Sequence, residues 1–544
     1  IWGQPQHFVI LHEVFATNVD IERNSRMPIL KSPPSLQRSC LDVLCRLPQQ
    51  EWERPHIAVW IPKITNHKKQ PHNLCANLYQ ALLDYLIITE QLQSWHLDYV
   101  AHESLKWIRF GKCRNILDNN AALLISSRCP NLQDVFINSC THLPLLGVSF
   151  MVWNFSNLRI LDITNTKADN GAMAILADKC PELQKLDMAG TNVTDIGMFE
   201  LCGLRESGKG CKKIDRLMIY NIQVTLFGLS YVIKALKQLK HLGTEHNTGL
   251  VLYGIYHDFL LYNLPLSPLK LEDVSFSSRA QSDSLWVPAS YIQALKLCPN
   301  VTSVVLHSAM LANVDEEILQ SLSLLNTLEV KEEEYRQLTF QKEVVPFLSR
   351  VGAKMQSVTF TGFSDVDMLA VSVYCPDVHE LSLEYVQGFA EQPEHPTQQV
   401  KGCSFQDLTS LVIEISNEVS QEALQYQLER VLKTAPNLTM LHLWGVDCFT
   451  DDFMADVMQY NKFEFLWTLA LIECHGVSRK TIEALMDTAS NFSRVIVETC
   501  DKLKKSDLED IKDLAASKNL SFNVIQGWGR PSATNNEEGQ WAAM

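Results

Sequence analysis

The sequence predicts an α/β solenoid, with one short strand and one helix per repeat, parallel strands on a concave side and helices on the convex side. Three observations predict it. At 544 residues the chain is too long for one ordinary compact core, so it must hold several domains or grow in one dimension. An apolar triplet of fixed internal spacing recurs along most of its length. Between the triplets lie helix-like stretches that stop at a proline of matching phase.

The strand of each repeat comes from the triplet. It reads apolar, two others, apolar, one other, apolar, two others, then often Cys, Thr, Val or Ala. Leu105-Ile108-Phe110-Cys113, Leu132-Val135-Ile137-Cys140, Leu158-Leu161-Ile163-Thr166 and Leu183-Leu186-Met188-Thr191 share it in full. Fourteen in-phase copies run to Phe492-Val495-Val497-Cys500, and Leu92-Trp95-Leu97 and the degenerate Leu239-Leu242 read as two more. Alternation at the fourth and sixth positions turns one face of a short strand inward and leaves the intervening residues outward. Scattered matches from amphipathic helices would not stay in phase so often. Successive copies start 13 to 32 residues apart, mostly 23 to 32, which is the room for one strand and one helix and the period of a leucine-rich-repeat horseshoe.

The helix comes next. Ala172, Ile175, Leu176 and Ala177 supply an apolar stripe, and Cys180-Pro181-Glu182-Leu183 ends it before the next strand. The same punctuation stands at Cys129-Pro130, Cys298-Pro299, Cys375-Pro376 and Ala435-Pro436. The domain plan that follows is an uncertain or disordered segment over 1–30, a small helical adaptor-docking or capping region over 31–90, the repeat solenoid over 91–526 and a disordered tail over 527–544. Residues 1–30 show no period and open on Ile1 rather than Met, which reads as a fragment or a mis-set gene start. The 387–403 segment replaces most of one repeat's helix with Gly, Pro and Gln, and such an insertion is either disordered or functional.

Composition narrows the function. Apolar residues at 46% and charged residues at 20% belong to a folded chain. A net charge of -15 opposes a nucleic-acid backbone or an anionic membrane, even with the local basic run Lys63, His67, Lys68 and Lys69. The 15 cysteines are odd in number, dispersed and without a C-x-x-C pair, so they read as free thiols. With no secretory h-region and no apolar run of about 18 residues, the expected place is cytoplasm or nucleus. Neither a metalloprotease, P-loop, dinucleotide nor EF-hand motif occurs, so the sequence predicts a non-catalytic chain with no cofactor and no metal. Cys113, Cys140, Cys474 and Cys500 sit at the closing position of their repeats and read as buried structural thiols rather than metal ligands.

Ahead of the repeats, Pro33-Pro34-Ser35 makes a helix start, and Leu36, Cys40 and Leu44 then stack at i, i+4 and i+8 on one face. The same face, with Leu41, also suits the inner side of a helix capping the first repeat. This segment resembles the BC box by which substrate receptors dock elongin B/C, and the Cys-ended, Cys-Pro-punctuated repeats resemble those of intracellular ubiquitin-ligase receptors. The resemblance implies an adaptor-binding set of Ser35, Leu36, Cys40, Leu44, Leu47 and Pro48, where Leu47-Pro48 would begin the cullin-contacting segment. The match there is incomplete, because Glu51 stands where an apolar residue is wanted and Trp52 is offset by one. Leu47-Pro48 also resembles the start of an F-box domain, which would use a Skp adaptor. A free-standing scaffold or inhibitor that binds its partner without any adaptor is the remaining alternative.

Partner contact is expected on the concave face, where the phase turns Trp107, Arg109, Phe136, Tyr220, Met440, His442 and Trp444 outward. His442 and Trp444 read as a surface pair rather than a metal site. Glu380, Glu384, Glu414 and Glu498 face outward too, as a match for a basic segment of the target protein or as a plain solvated acidic face.

Overall fold

A computed structural model describes residues 76–526 except 205–208, 264–266, 278–287, 333–337, 392–403, 417–418 and 519–521. These fall into two compact units, one up to Asn247 together with Leu269–Leu271, the other from Thr248 onward. Each is built as an α/β solenoid of leucine-rich-repeat type.

The first unit carries six strands: β1 (Trp107–Arg109), β2 (Asp134–Phe136), β3 (Ile160–Asp162), β4 (Lys185–Asp187), β5 (Arg216–Met218) and β6 (His241–Gly243). The second carries ten: β7 (Asp273–Ser275), β8 (Ser303–His307), β9 (Thr327–Lys331), β10 (Ser357–Thr361), β11 (Glu380–Val386), β12 (Ser410–Ile415), β13 (Met440–Trp444), β14 (Thr468–Ile472), β15 (Arg494–Glu498) and β16 (Asn523–Gln526). Within each ladder every strand pairs in parallel with the next in sequence. Parallel neighbours need a crossover, and the connecting segments supply it, mostly as α or 3-10 helix. The single ladder foreseen from the triplets is therefore two, and the break between β6 and β7 follows the degenerate Leu239-Leu242 copy and the 14-residue helix Thr248–Leu261.

The triplets form the core as the alternation requires. Leu158, Leu161 and Ile163 in one repeat and Leu438, Leu441 and Leu443 in another are fully buried. Helix starts use short polar side chains: Asp118, Asp169, Asp315 and Asp367 each accept a backbone N–H from the first turn. Helix stops use the prolines. Cys129, Cys180, Cys298, Cys375 and Ala435 take ψ between 53° and 73°, because a following proline crowds a residue out of the helical region. On the helix Asn170–Lys179 the buried stripe is Ala172, Met173, Leu176 and Ala177; Met173 takes the inner place expected for Ile175, which is half-buried.

Tight turns follow several of the strands. Two residues past the sixth-position apolar residue, nine repeats hold a left-handed residue: Ser139, Asn165, Gly190, Asn221, Gly362, Tyr385, Gly445, Glu473 and Thr499. The next residue points back into the core and closes the repeat. Thr166 and Thr191 donate to the sixth-position carbonyls of their own repeats at 2.7 Å. Cys474 and Cys500 donate instead to the sixth-position carbonyl of the preceding strand, Leu443 O at 3.4 Å and Leu471 O at 3.5 Å.

One copy does not become a strand. Leu92-Trp95-Leu97 is a 3-10 turn, Ser94–His96, running into the helix Leu97–Val100. Its backbone groups are used locally: Gln91 and Leu92 N–H both donate to Leu86 O, and Gln93 N–H donates to His96 Nδ1 at 2.9 Å. The open edge of β1 is closed by a side chain instead. From the helix Ala76–Ile88, Gln80 Nε2 donates to Trp107 O at 3.0 Å and Gln80 Oε1 accepts from Lys106 N–H at 3.3 Å. Thr248 does the same for β7, donating to Ser275 O at 3.0 Å and accepting from Ser275 N–H at 2.9 Å.

Candidate protein-binding surface

Alternation along most strands buries every second side chain and turns the others onto the solvent-facing side of the sheet, whereas β14 is buried at all five positions. In the first unit this face begins with Trp107 and Arg109, both exposed. Trp107 is 40% exposed and its indole N–H donates to Asp84 Oδ2 at 3.3 Å, which fixes the ring against the capping helix. Burial raises the Asp84 carboxyl pKa, against the hydrogen bonds from Gln80 and Trp107 and the charge of Arg109. Register sets Arg109 beside Phe136, and the guanidinium lies 4.4 Å from the ring centre. Phe136, expected as an open anchor, is thus only 8% exposed, because Arg109 covers it. The pair offers a partner a cation seated on an aromatic base.

Tyr220 lies two residues past β5 and is half-buried. A Cβ on Gly243 would come within 2.8 Å of its ring and 2.2 Å of Met218 Sδ, so the glycine lets both side chains lie across β6. The first outward row also aligns Lys185, Arg216 and His241 on β4, β5 and β6. Sequence reading missed this cationic row. Its signal was a basic or imidazole residue directly before the fourth-position leucine in three successive copies, one of them degenerate.

In the second unit Met440, His442 and Trp444 stand together on β13. Met440 is exposed, while His442 and Trp444 are half-buried. Burial lowers the His442 pKa, which keeps the imidazole neutral at physiological pH. The Trp444 indole N–H donates to Glu473 Oε2 at 3.1 Å. Beside them Trp467, 51% exposed, carries the Arg494 guanidinium 5.1 Å from its ring centre. Trp467 was also missed; it occupies the second position of its repeat, a place the alternation rule does not inspect.

Acidic side chains line the same sheet toward β9. Glu380 accepts from Ser357 Oγ at 3.1 Å and Glu384 from Ser382 Oγ at 3.3 Å. Burial and the charge of Glu329 push the Glu384 pKa up, while Glu329 itself pairs with Lys331 at 3.0 Å. Glu414 is in register with Trp444, and Glu498 with Ile472 on β14. Of the predicted anchors, Trp107, Arg109 and Phe136 gather on β1 and β2 of the first unit and Met440, His442 and Trp444 on β13 of the second, while Tyr220 stands apart at the end of β5.

The thiols at the closing positions are buried, and burial pushes those of Cys140 and Cys474 up to about 12. Among the described residues no three His, Cys, Asp or Glu side chains converge as a metal-binding set. Ser35, Leu36, Cys40, Leu44, Leu47 and Pro48 lie outside the described residues, as do Lys63, His67, Lys68, Lys69 and most of the 387–403 segment.

No protein-family model matches the chain. Among curated proteins it is similar to F-box/LRR-repeat protein 4 of Bos taurus, 29% identical over 133 residues. That match spans 24% of this chain and 20% of the relative. Among solved structures it is similar to a chain of the yeast Rad7 and Elc1 complex, with TM-score 0.40, 14% identity and coverage of 85% of this chain and 90% of that one. An internalin of Listeria monocytogenes gives TM-score 0.34 at 12% identity, covering 84% and 94%. A leucine-rich-repeat protein of Leptospira interrogans gives 0.30 at 13%, covering 77% and 93%.

Proposed function

We propose that this chain is the substrate-recognition subunit of a cullin-RING ubiquitin ligase. The Ser35–Leu44 segment docks elongin B/C, Leu47-Pro48 leads toward the cullin, and the solvent-facing sheets hold the target protein. The chain performs no chemistry itself and uses no cofactor. It raises the rate of ubiquitin transfer by keeping the target near the charged partner of the ligase, an effective-concentration effect. The observation that carries this reading is the Leu36, Cys40 and Leu44 stripe set directly ahead of a repeat array whose outward side chains include tryptophan, arginine and methionine, the residue types that anchor protein interfaces.

The 133-residue similarity to an F-box/LRR-repeat protein supports a second reading, in which Leu47-Pro48 opens an F-box-type segment and a Skp adaptor replaces elongin B/C. Affinity capture of the full chain distinguishes them. Recovery of elongin B and C that is lost on Leu36→Ser with Cys40→Arg supports the first reading. Recovery of the Skp adaptor that survives those substitutions and is lost on Leu47→Asp supports the second. Capture of neither adaptor removes the ligase assignment and leaves an adaptor-free scaffold.

A further inference from the structure

We propose that the sheet face over β11, β12 and β13 takes a basic segment of the partner, with lysine or arginine side chains against Glu380, Glu384 and Glu414 and an apolar side chain between them on Val412 and Met440. This rests on the sheet face being the partner-binding surface and adds the chemistry of what binds there.

Register fixes the arrangement. Glu380, Ser410 and Met440 share one outward row, and Ser382, Val412 and His442 share the next. Between Leu383 and Val386 the pairing slips, which leaves Glu384 and Tyr385 together alongside Glu414. An extra residue of this kind re-aims side chains locally. With strands about 4.8 Å apart and outward rows about 6.6 Å apart, Glu380 and Glu384 stand about 13 Å apart along β11, two rows of an extended peptide, and Glu414 lies one strand over, so the three carboxylates border Val412 on its β11 side and at its following row.

Charge selects the occupant. Burial and then the charge of Glu329 disfavour the Glu384 carboxylate, with Ser382 and Lys331 opposing them in part, so a further cation placed beside Glu384 is favoured. Lys331 already shows this edge holding an ammonium, paired with Glu329 at 3.0 Å. Of the groups beside the patch, Lys331 acts on Glu384, burial lowers the His442 pKa, and Arg494 is turned onto Trp467. A phosphate backbone or an acidic peptide would meet a field of its own sign.

The apolar part separates this face from a merely solvated acidic one. Tyr385 is 44% exposed and Met440 37%, and Val412 is half-buried between them. Aromatic and methionine side chains left open among carboxylates make a mixed surface, which suits an amphipathic basic segment better than a free cation.

A phage-displayed random dodecapeptide library selected on the purified full chain tests this. Enriched peptides are expected to hold two or more Lys or Arg residues around an aliphatic or aromatic one, with affinity that falls as salt rises. Binding of the synthetic consensus peptide, read by fluorescence anisotropy, should weaken about tenfold on Glu384→Gln with Glu414→Gln. Replacing the peptide lysines by glutamine should weaken binding to the native chain but not to that variant. Circular dichroism melting checks that the variant is folded. Enrichment of neutral or acidic peptides, or basic peptides indifferent to the glutamine pair, overturns the inference; if such peptides are still lost on Met440→Asp or Trp107→Asp, the sheet-face reading survives it. Selected peptides indifferent to all four substitutions sink both.

Discussion

The left-handed residue that follows nine of the strands shows how one backbone position carries different side chains at different cost. A side chain with a Cβ loses roughly 1–2 kcal/mol in this region, while glycine and to a degree asparagine tolerate it. Gly445, at φ +73°, has Ile415 Cβ 3.4 Å from where its own Cβ would stand, so Gly445→Ala meets ordinary contact and costs the conformational term of about 1 kcal/mol. Gly190→Ala is expected to cost more, because its Cβ would fall 2.2 Å from Asn165 Oδ1 and displace that side chain. Shifts in urea midpoint for the two variants measure the difference. Tyr385 and Glu473 bear the same strain without glycine's freedom, at φ +51° and +52°. Tyr385→Gly relieves this strain but adds unfolded-chain entropy and gives up the covered part of the ring, so stability is expected to change by less than about 1 kcal/mol while peptide binding weakens if the exposed ring is a contact. A gain in both stability and binding would remove Tyr385 from the surface.

Caps decide where each ladder starts, and here the sequence was least informative at the element scale. The strands were legible because the fourth and sixth positions repeat with one spacing, which only a stacked array makes meaningful. Leu92-Trp95-Leu97 has that spacing too, and its backbone is nevertheless used up in a helical turn. Gln80 and Thr248, which close the edges of β1 and β7, are isolated polar residues of largely apolar helices, and no period announces them. Their role depends on which backbone groups lie opposite. Gln80→Leu keeps the volume and removes both partners of the Lys106 N–H and the Trp107 carbonyl, an expected loss of about 1–3 kcal/mol. Thr248→Val does the same to Ser275. Amide hydrogen exchange provides the readout: faster exchange should appear around β1 in the first variant and around β7 in the second. Unchanged protection at both strands would mean that solvent already satisfies these edges.

At the scale of the whole molecule the thiols act together. The sequence marked several of them through the recurring closing position and the Cys-Pro stops, whereas the outward anchors were legible only as a phase, which cannot show that Arg109 would cover Phe136 or that Trp467 would stand open. Burial raises the pKa of Cys129, Cys140, Cys180, Cys202, Cys298, Cys375, Cys448 and Cys474 to about 12 from an ordinary value near 9. The neutral thiol is thus the form that suits the folded state. Below pH 9 both folded and unfolded chains are protonated and the full stabilisation is present. Between about 9 and 12 the unfolded chain releases protons that the folded chain keeps, so stability falls with rising pH, by up to about 1.4 kcal/mol per pH unit for each such group. Distributed through both units, these groups make alkaline unfolding steep and early, and a circular-dichroism titration should show cooperative loss of structure well below pH 12. Thiolate absorbance should rise with that loss and not before it. If the thiols ionise near pH 9 while the ellipticity is unchanged, they lie open to water, and the closing position of the repeat is not the buried rung described above.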